Sequence, residues 1–350
     1  MTRREVPSDG TDHQWSDLTV NCHSDFLCHA IGCYRQCDDL VPLRQWQDKL
    51  TTGGVNAVFC AVGGDADTFP VSYAETRTYF ETANELCERS REHFQVVRSA
   101  EGLVKAWQDG RIAFFLGLEG CRALEGQLDT LVGLHGQGLR WLSLTWNNAN
   151  ELGDGIGETK LRGLTPFGRQ AIKRAHRLGI VLDLVHASRT TFYDAVTAGE
   201  APFIVSHSNA ATICPHPRNL TDDQIRKVAS TGGVIGINFY PRFLTAGKPR
   251  WADIERHVCY IADLVGPDHV ALGPDFIDFS PEEIARSLSK STIDYGGDCS
   301  YPPGFSDDRC FRDVATHLGK AGFDEDEVAG IMGRNMLHVV KKVEQLARTG

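Results

Sequence analysis

Two histidines stand at the ends of two short apolar segments that follow each other closely in the chain. The first segment, VLDLVHAS, carries His186, and the second, APFIVSHSNA, carries His207. Both are typical of buried strands, and the residues between them suffice for one helix and two loops. In a parallel sheet such a β–α–β unit places both imidazoles at the C-terminal edge. The pair could form half of a metal site, although each histidine alone is also typical of a hydrogen-bonded core residue.

Four further residues, of types that commonly bind metals, stand where other predicted strands end. They are His23, Asp25, Glu119 and Asp275. Three histidines and three carboxylates are too many for one tetrahedral zinc and suit two metals that share a bridging ligand. Two metals so placed can bind one water between them and lower its pKa towards neutrality. The resulting hydroxide is a nucleophile for hydrolysis at an acyl or phosphoryl centre.

Strand alternation predicts that these groups face one opening. Side chains two residues apart in a strand point to the same face, as His23 and Asp25 do. By this rule His186 shares a face with Leu184, and His207 shares one with the apolar residues of its own strand. We therefore expect all six metal-binding groups at one mouth of the sheet.

The elements that would position these residues alternate between strand and helix. Strand patterns cover 17–25, 57–64, 112–120, 138–146, the two segments ending in His186 and His207, 232–241 and 269–276. Helical patterns cover 42–54, 72–108, 124–135, 165–179, a segment beginning at Thr221, 252–266 and the last 40 residues. Eight such repeats predict an α/β fold, a (β/α)8 TIM-type barrel with a C-terminal helical extension. A doubly wound sheet is the alternative, but no G-x-G-x-x-G follows the first strand.

Neither an internal repeat nor a linker divides the sequence. We expect one catalytic barrel domain over residues 1–350, with a polar tail at 1–16 and C-terminal helices over about 309–350. In such a barrel the catalytic groups lie at the C-terminal ends of the strands, which is where the six metal-binding residues fall.

Composition narrows the class of protein. The chain has 350 residues, 41% of them hydrophobic, and a net charge of -10, which argues against a nucleic acid or an anionic membrane as partner. It contains no apolar run of the length of a membrane span and no signal-peptide core in residues 1–16. The 11 cysteines are scattered, which favours reduced thiols and a cytoplasmic location.

Several motifs together resemble the renal-type, or membrane, dipeptidases, a family of dinuclear zinc peptidases. The motifs are H-x-D on the first strand, LEG on the third, LDLVHAS, IVSHSNA followed by HPRNLTD, and ALGPDF. The resemblance runs from Asp17 to about Val340 and includes TPFGRQAIKRAHRLGIVLDLVH and GRNML. As a set these motifs are highly specific, and they imply a barrel that hydrolyses small peptides.

The resemblance implies two zinc ions per chain. By the family pattern His23, Asp25 and Glu119 would hold one zinc. Glu119 would bridge to the second zinc, held by His186 and His207.

The resemblance also assigns residues to the substrate. Asp275 would orient the bridging water and pass its proton to the leaving amine. Arg218, in HPRNL, would bind the C-terminal carboxylate of the substrate, which suits a planar guanidinium, although a surface arginine flanking a helix is the alternative. Asn219 and Tyr240 are assigned to the substrate pocket.

Some positions depart from the family pattern. Trp146 stands where the renal enzymes have a histidine that touches the reacting carbonyl, and Cys121 and Arg122 replace a glycine and a histidine after the glutamate. The last strand continues as GPDFIDF. Because Trp146 is two residues from Leu144, alternation predicts that it points into the barrel mouth. We expect it to narrow the pocket and partly to replace the missing hydrogen-bond donor.

The leading hypothesis is a cytoplasmic dinuclear zinc dipeptidase that cleaves a dipeptide or a dipeptide-like substrate through a metal-bridging hydroxide. One alternative is a related enzyme acting on another amide or on a peptide-like metabolite in a biosynthetic pathway. Another is a non-catalytic metal-binding barrel. A small peptide-like substrate is the expected partner, and a homodimer is compatible with the sequence.

Overall fold

Eight parallel strands in a nearly closed barrel form the centre of the fold, which confirms the predicted TIM-type architecture. The structure, a computed structural model, describes residues 17–66, 69–277, 292–296, 301–302 and 304–349. The strands are β1 (Val20–Ser24), β2 (Ala57–Gly64), β3 (Phe94–Val96), β4 (Ile112–Glu119), β5 (Leu139–Ser143), β6 (Val181–Asp183), β7 (Phe203–Ser208), β8 (Ile235–Ile237) and β9 (Val270–Leu272). The order in the barrel is β1-β2-β4-β5-β6-β7-β8-β9, and β1 also contacts β9.

Helices surround the barrel and follow its strands. They are α1 (Phe26–Cys37), α2 (Val41–Gly53), α3 (Tyr73–Arg89), α4 (Ala100–Gln108), α5 (Leu128–Gln137), α6 (Pro166–Arg177), α7 (Arg189–Ala198), α8 (Asp222–Ser230), α9 (Pro241–Leu244), α10 (Trp251–Val265), α11 (Phe311–Lys320), α12 (Glu325–Ala329) and α13 (Asn335–Thr349). Several of them begin at a side-chain cap. Thr221 accepts a hydrogen bond from Gln224 N and Gln224 reaches back, so α8 begins with a complete capping box.

Two segments differ from the sequence-based prediction. Helix α1 directly follows the H-x-D motif, and no helix was predicted there. Its buried residues Phe26, Leu27, Ala30 and Ile31 form one apolar face, so packing rather than polar patterning defines this helix. The helix predicted over 72–108 is interrupted by β3, which pairs with β4 outside the barrel order. A strand of three residues is too short to show a period of its own.

The hydrophobic core has two parts that alternate along each strand. One part contains Phe59, Phe115, Val181, Ile204 and Ala271, which face the barrel interior. The other contains their sequence neighbours together with apolar residues of the surrounding helices. The interior part extends to α13, which contacts β6 and β9, so the C-terminal helix packs against the barrel.

No helix among the described residues is long and apolar enough to cross a membrane. The ten cysteines in this part of the chain carry free thiols, and most of them are buried. Cys299 and the predicted polar tail at 1–16 lie outside the described residues.

Gly117 makes room in the barrel interior for the largest side chain there. It lies between Phe115 and Glu119 on the interior face of β4, and a Cβ at Gly117 would be 2.2 Å from the indole of Trp141. The Trp141 N–H donates to the carbonyl of Phe115 at 3.0 Å, and the ring lies 5.9 Å from that of His23. Gly117 therefore leaves the space in which the Trp141 indole packs next to His23, a predicted metal ligand.

We predict that Gly117→Ala destabilises the protein. The methyl group forces Trp141 to move, and such overpacking costs about 1–3 kcal/mol. The control is Gly136→Ala in α5, where a new Cβ meets nothing within 4 Å and alanine favours the helix. Urea unfolding should show a lower midpoint for Gly117→Ala and an unchanged or higher one for Gly136→Ala. Equal midpoints for Gly117→Ala and the wild type would show that the indole is not confined there.

Candidate metal centre and substrate site

The ends of five barrel strands bring the six predicted metal-binding side chains together. His23 and Asp25 come from the end of β1, Glu119 from the end of β4, His186 from the turn after β6, His207 from β7 and Asp275 from the turn after β9. Their ligand atoms form three overlapping groups in which all atoms lie within 4.8 Å of one another. One group is His23, Asp25 and Glu119, a second is Glu119, His186 and His207, and a third is His23, His207 and Asp275.

Glu119 is the carboxylate common to two of these groups. Its Oε1 lies 3.6 Å from Nε2 of His23, 3.1 Å from Nε2 of His186 and 3.4 Å from Nε2 of His207. The side chain is buried, as are the three imidazoles. Among the described residues, no other carboxylate oxygen lies within 4 Å of all three imidazoles.

Strand alternation does not explain how His186 and His207 reach the mouth. Leu184 and Val205, which two-residue spacing assigned to their faces, belong to the helix-facing part of the core. That part of the prediction is therefore wrong. His186 has a φ of 62°, in the left-handed region, and the register of β7 against β8 shifts between Val205 and Ser208. A turn and a bulge rotate the two imidazoles inward, as irregular backbone beside functional sites commonly does.

The hydrogen bonds around His186 fix its proton on one nitrogen. Asn147 donates its amide to the hydroxyl of Tyr295 at 2.7 Å, so its carbonyl oxygen faces the Nδ1 of His186, 2.8 Å away, and accepts from it. The lone pair on Nε2 therefore points at Oε1 of Glu119 and at Nε2 of His207, 3.3 Å away. An unprotonated Nε2 so close to other acceptors needs a compensating group beside it, which can be an N–H donor, a proton or a metal ion.

The donor set fits a metal on chemical grounds. Both nitrogens of His23 and Oδ1 of Asp25 are buried without a hydrogen-bond partner in the described part of the chain, although Nε2 and Oδ1 lie 3.2 Å apart. Buried polar atoms are rarely left in this state unless another ligand satisfies them. Imidazole nitrogens and carboxylate oxygens are the ligands of zinc and related dications, and Asn147 orients His186 as residues behind metal ligands do.

The electrostatics of the cluster depend on burial. Burial lowers the pKa of His186 and of His207 well below the usual range, and the positive charge of Arg218 adds to this. Burial also opposes the charge on His23, but the carboxylates of Glu119 and Asp25 outweigh it and raise its pKa to about 10. Two of the imidazoles are thus neutral and able to bind a metal, and a dication would replace the proton on the third.

Burial raises the pKa values of two carboxylates in the cluster, whereas it lowers those of two imidazoles. Burial, with the charge of Asp25 nearby, raises the pKa of Glu119 well above its usual range. Burial likewise raises the pKa of Asp275 to about 6, while His23 opposes the rise. Asp275 is held by Asn238, whose amide donates to its Oδ2 at 3.1 Å, and by Tyr301, which donates to its carbonyl oxygen. Asp275 also has a positive φ of 59°, so the turn after β9 aims its carboxylate.

Arg218 is buried at the edge of the cluster and is not a surface residue flanking a helix. It is 5% exposed, its Nη2 donates to Nε2 of His186 at 3.0 Å, and its guanidinium lies over the ring of Phe243 at 5.6 Å. Its Nε has no hydrogen-bond partner in the described chain. One lone pair cannot both accept from Arg218 and bind a metal, so metal binding at His186 would free this donor.

The polar groups of Asn219 and Tyr240 donate hydrogen bonds to backbone carbonyls around the site. The amide of Asn219 donates to the carbonyls of Cys214 and Phe243, each at 2.8 Å. The hydroxyl of Tyr240 donates to the carbonyl of Tyr295 at 2.8 Å. Contacts of Asn219 and Tyr240 with substrate stay predictions.

Trp146 lies beside the cluster, but not for the predicted reason. Leu144 belongs to the helix-facing core, whereas Trp146 packs against the interior part, because β5 has already ended at Ser143. Its indole is half-buried, and its ring centroid is 5.8 Å from that of His186. The side chain therefore does reach the mouth of the barrel.

Asn147, Asp65 and Tyr295 contribute to the site and were not predicted. The buried carboxylate of Asp65 accepts from the backbone N–H of Arg122 at 2.8 Å and from the amide of Asn150 at 2.7 Å, which ties together the loops after β4 and β5. Burial raises the pKa of Asp65 to about 6, against these hydrogen bonds. None of the three belongs to a metal-binding sequence motif. The only sequence signal for Asn147 is its place next to Trp146 in WNN.

Known proteins resemble this chain over most of its length. The family model described as membrane dipeptidase, peptidase family M19, matches residues 20–290 and 291–350. A Klebsiella pneumoniae protein described by its position in the pqqA 5′ region is 31% identical over 273 residues, which is 75% of this chain and 93% of that protein. The dipeptidase aclJ of Aspergillus oryzae is 31% identical over 245 residues, 69% of this chain and 54% of that protein.

Solved structures show the same fold. An amidohydrolase from Pseudomonas aeruginosa has a TM-score of 0.83 at 21% identity, covering 95% of this chain and 98% of that one. A metallopeptidase from Rhodobacter sphaeroides, liganded with a phosphinate mimic of the dipeptide L-Ala-D-Ala, has a TM-score of 0.77 at 23% identity, covering 93% and 99%. With its motifs, its barrel and the match of the family model to nearly its whole length, this chain belongs to the membrane dipeptidase family, peptidase family M19.

Proposed function

We propose that this protein is a dinuclear zinc dipeptidase, which hydrolyses the amide bond of a dipeptide or dipeptide-like substrate with a free C-terminal carboxylate. We base the proposal on the two groups of candidate metal-binding residues that share Glu119, and on Arg218 at their edge. Glu119, His23 and Asp25 would hold one ion, and Glu119, His186 and His207 the other. Bound zinc would supply Lewis acidity and a water of lowered pKa.

Asp275 would move the proton. Its carboxylate lies at the cluster, with Oδ1 3.6 Å from Nε2 of His23 and Oδ2 4.0 Å from Nε2 of His207. It would accept a proton from the attacking water and deliver it to the amide nitrogen as the C–N bond breaks. The hydrogen bond from Asn238 leaves Oδ1 for this exchange.

Arg218 would bind the substrate carboxylate. Its guanidinium is buried against Phe243 and carries an Nε–H without a partner in the described chain. A carboxylate that accepts from two N–H groups of one guanidinium is held in a defined orientation. This contact would place the scissile bond of a short peptide beside the cluster, because the donor already reaches His186.

The substrate class is proposed from relatives and from the pocket. The Aspergillus relative is named a dipeptidase, and the Rhodobacter structure holds a mimic of L-Ala-D-Ala, so we propose L,L and L,D dipeptides as the first substrates to assay. The Trp146 indole beside His186 favours a second candidate, hydrolysis of a non-standard amide in a peptide-like metabolite. A homodimer and a cytoplasmic location stay predictions, as does the single catalytic domain.

We predict that Glu119→Gln loses both metals and most of the activity. A neutral amide offsets less of the repulsion between two dications than a bridging carboxylate does. Elemental analysis of purified protein should find two zinc ions per wild-type chain, about one in Asp25→Asn and close to none in Glu119→Gln. Glu101→Gln, an exposed change on α4, is the matched control and should keep both. One zinc per wild-type chain across a range of zinc supply would contradict the dinuclear proposal.

We predict that Asp275→Asn keeps its metals and loses turnover. The amide cannot accept the proton, and a general base or acid typically contributes about 10²–10⁴-fold to the rate. Steady-state kinetics on a dipeptide, combined with metal analysis, measures both effects. Asp263→Asn on the exposed face of α10 is the control. Near wild-type kcat in Asp275→Asn would remove this residue from proton transfer.

We predict that Arg218 makes the enzyme selective for a free carboxylate. Removing one partner of a buried charge pair costs about 3–5 kcal/mol, so amidating the dipeptide should reduce wild-type kcat/KM strongly. The same amidation should have little effect on Arg218→Met, which has no charge to leave unpaired. Arg226→Met, an exposed change on α8, should behave as the wild type does. Equal losses in wild type and Arg218→Met would show that another group binds the carboxylate.

A further inference from the structure

Residues 292–296 form a short segment fastened to the loops around the predicted site. Thr292 donates to the carbonyl of Gly157 at 2.6 Å, and the carbonyl of Asp294 lies 2.8 Å from Nε2 of His216. The carboxylate of Asp294 also pairs with Arg242 at 2.8 Å. Gly157 and His216 lie in the loops that follow β5 and β7, and Arg242 lies in α9, which follows β8, so the segment is held from several sides at the C-terminal end of the barrel.

Tyr295 is the residue of this segment that contacts the side chains around the cluster. Its carbonyl accepts from Tyr240, its ring centroid lies 5.7 Å from that of Phe243, and its hydroxyl accepts from the Asn147 amide at 2.7 Å. The same Asn147 accepts from His186, so one amide links the tyrosine hydroxyl to a predicted metal ligand. The guanidinium of Arg218 lies over the ring of Phe243, so Arg218 and Tyr295 pack against the same aromatic side chain.

The hydroxyl proton of Tyr295 is free to bind a ligand. Among the described residues the hydroxyl accepts from Asn147 but donates to no acceptor. Its environment contains Arg218, Asp275 and Glu119, the groups proposed to act on the substrate. Burial raises the pKa of Tyr295 to about 12, so the hydroxyl keeps its proton at any pH at which a peptidase would be assayed.

We propose that Tyr295 is a catalytic residue whose hydroxyl donates a hydrogen bond to the scissile carbonyl oxygen as that oxygen gains negative charge. The proton stays on the tyrosine throughout, and the bond strengthens as the carbonyl carbon becomes tetrahedral. This inference rests on the proposed dipeptide hydrolysis and adds a residue to it. No sequence motif pointed to Tyr295, which is 149 residues from Trp146 in the chain.

Two observations favour the carbonyl oxygen over other acceptors. Arg218 supplies the charge for the substrate carboxylate, which leaves the neutral Tyr295 hydroxyl, held by Asn147 on the Nδ1 side of His186, for the carbonyl oxygen. The indole of Trp146, by contrast, lies against the ring of His186, and within the described chain nothing fixes the direction of its N–H. Tyr295 is therefore the donor that hydrogen bonds hold in a defined position, and we assign to it the role that a histidine has in the family.

The test separates transition-state from ground-state binding. The variants are Tyr295→Phe, Trp146→Phe and, as a matched control, Tyr193→Phe, whose hydroxyl bonds to Asp223 on the surface. The zinc-loaded proteins are compared in kcat and KM on L-Ala-D-Ala and other dipeptides. Calorimetry then measures the affinity of each protein for a phosphinate dipeptide analogue, which carries a tetrahedral centre. Metal content and thermal midpoint establish that Tyr295→Phe is folded and loaded, since its ring contacts are kept.

The proposal predicts that Tyr295→Phe lowers kcat by about 10²–10³-fold, the usual effect of losing one such donor, with KM little changed. Affinity for the phosphinate should fall by a comparable factor, while Tyr193→Phe matches the wild type. A rise in KM at constant kcat, an unchanged Tyr295→Phe, or a loss confined to Trp146→Phe would each overturn the assignment while dipeptide hydrolysis stands. A wild type that neither cleaves any dipeptide nor binds the phosphinate would overturn both proposals.

Discussion

Opposite charges are buried together in the mouth of the barrel, and the residues around them are arranged to compensate for this burial. Glu119 is 3% exposed and lies within 3.6 Å of three imidazole nitrogens. An ionised carboxylate removed from water is strongly destabilised unless cations and hydrogen bonds compensate for the lost solvation. Either protons on the imidazoles or metal ions can supply that compensation, and the raised pKa of His23 reflects the first of these in the structure.

The surrounding residues restrict how this charge can be compensated. Asn147 commits the proton of His186 to Nδ1, and Ser206 lies 2.9 Å from Nδ1 of His207, so both Nε2 atoms face the cluster. Trp141 supports His23 from the barrel interior, in space that Gly117 leaves open. The arrangement is thus fixed from behind by neutral groups. This is how proteins orient metal ligands without adding further charge.

The sequence was sufficient to predict the barrel and the six clustered residues, since both follow from strand ends that carry His, Asp or Glu. It was insufficient for side-chain direction. Alternation assigned His186 to the face of Leu184, whereas a left-handed turn sets its true direction. Irregular backbone of this kind produces no periodic pattern in the sequence. Tyr295 was missed for a different reason, because its place beside Asn147 depends on a contact across 148 residues.

The departures from the family pattern have a physical meaning in the structure. Cys121 donates its thiol to the carbonyl of Ser143 at 3.1 Å, and the backbone of Arg122 is held by Asp65. These positions therefore shape the loop after β4. Trp146 is the departure that lies beside a predicted ligand, with its ring centroid 5.8 Å from that of His186.

We propose that two metal ions share Glu119. X-ray diffraction data collected on crystals of the zinc-loaded protein above and below the zinc absorption edge test it most directly. We expect two anomalous peaks on either side of the Glu119 carboxylate, one next to His23 and Asp25 and the other next to His186 and His207. A single peak, or peaks that do not contact Glu119, would contradict it.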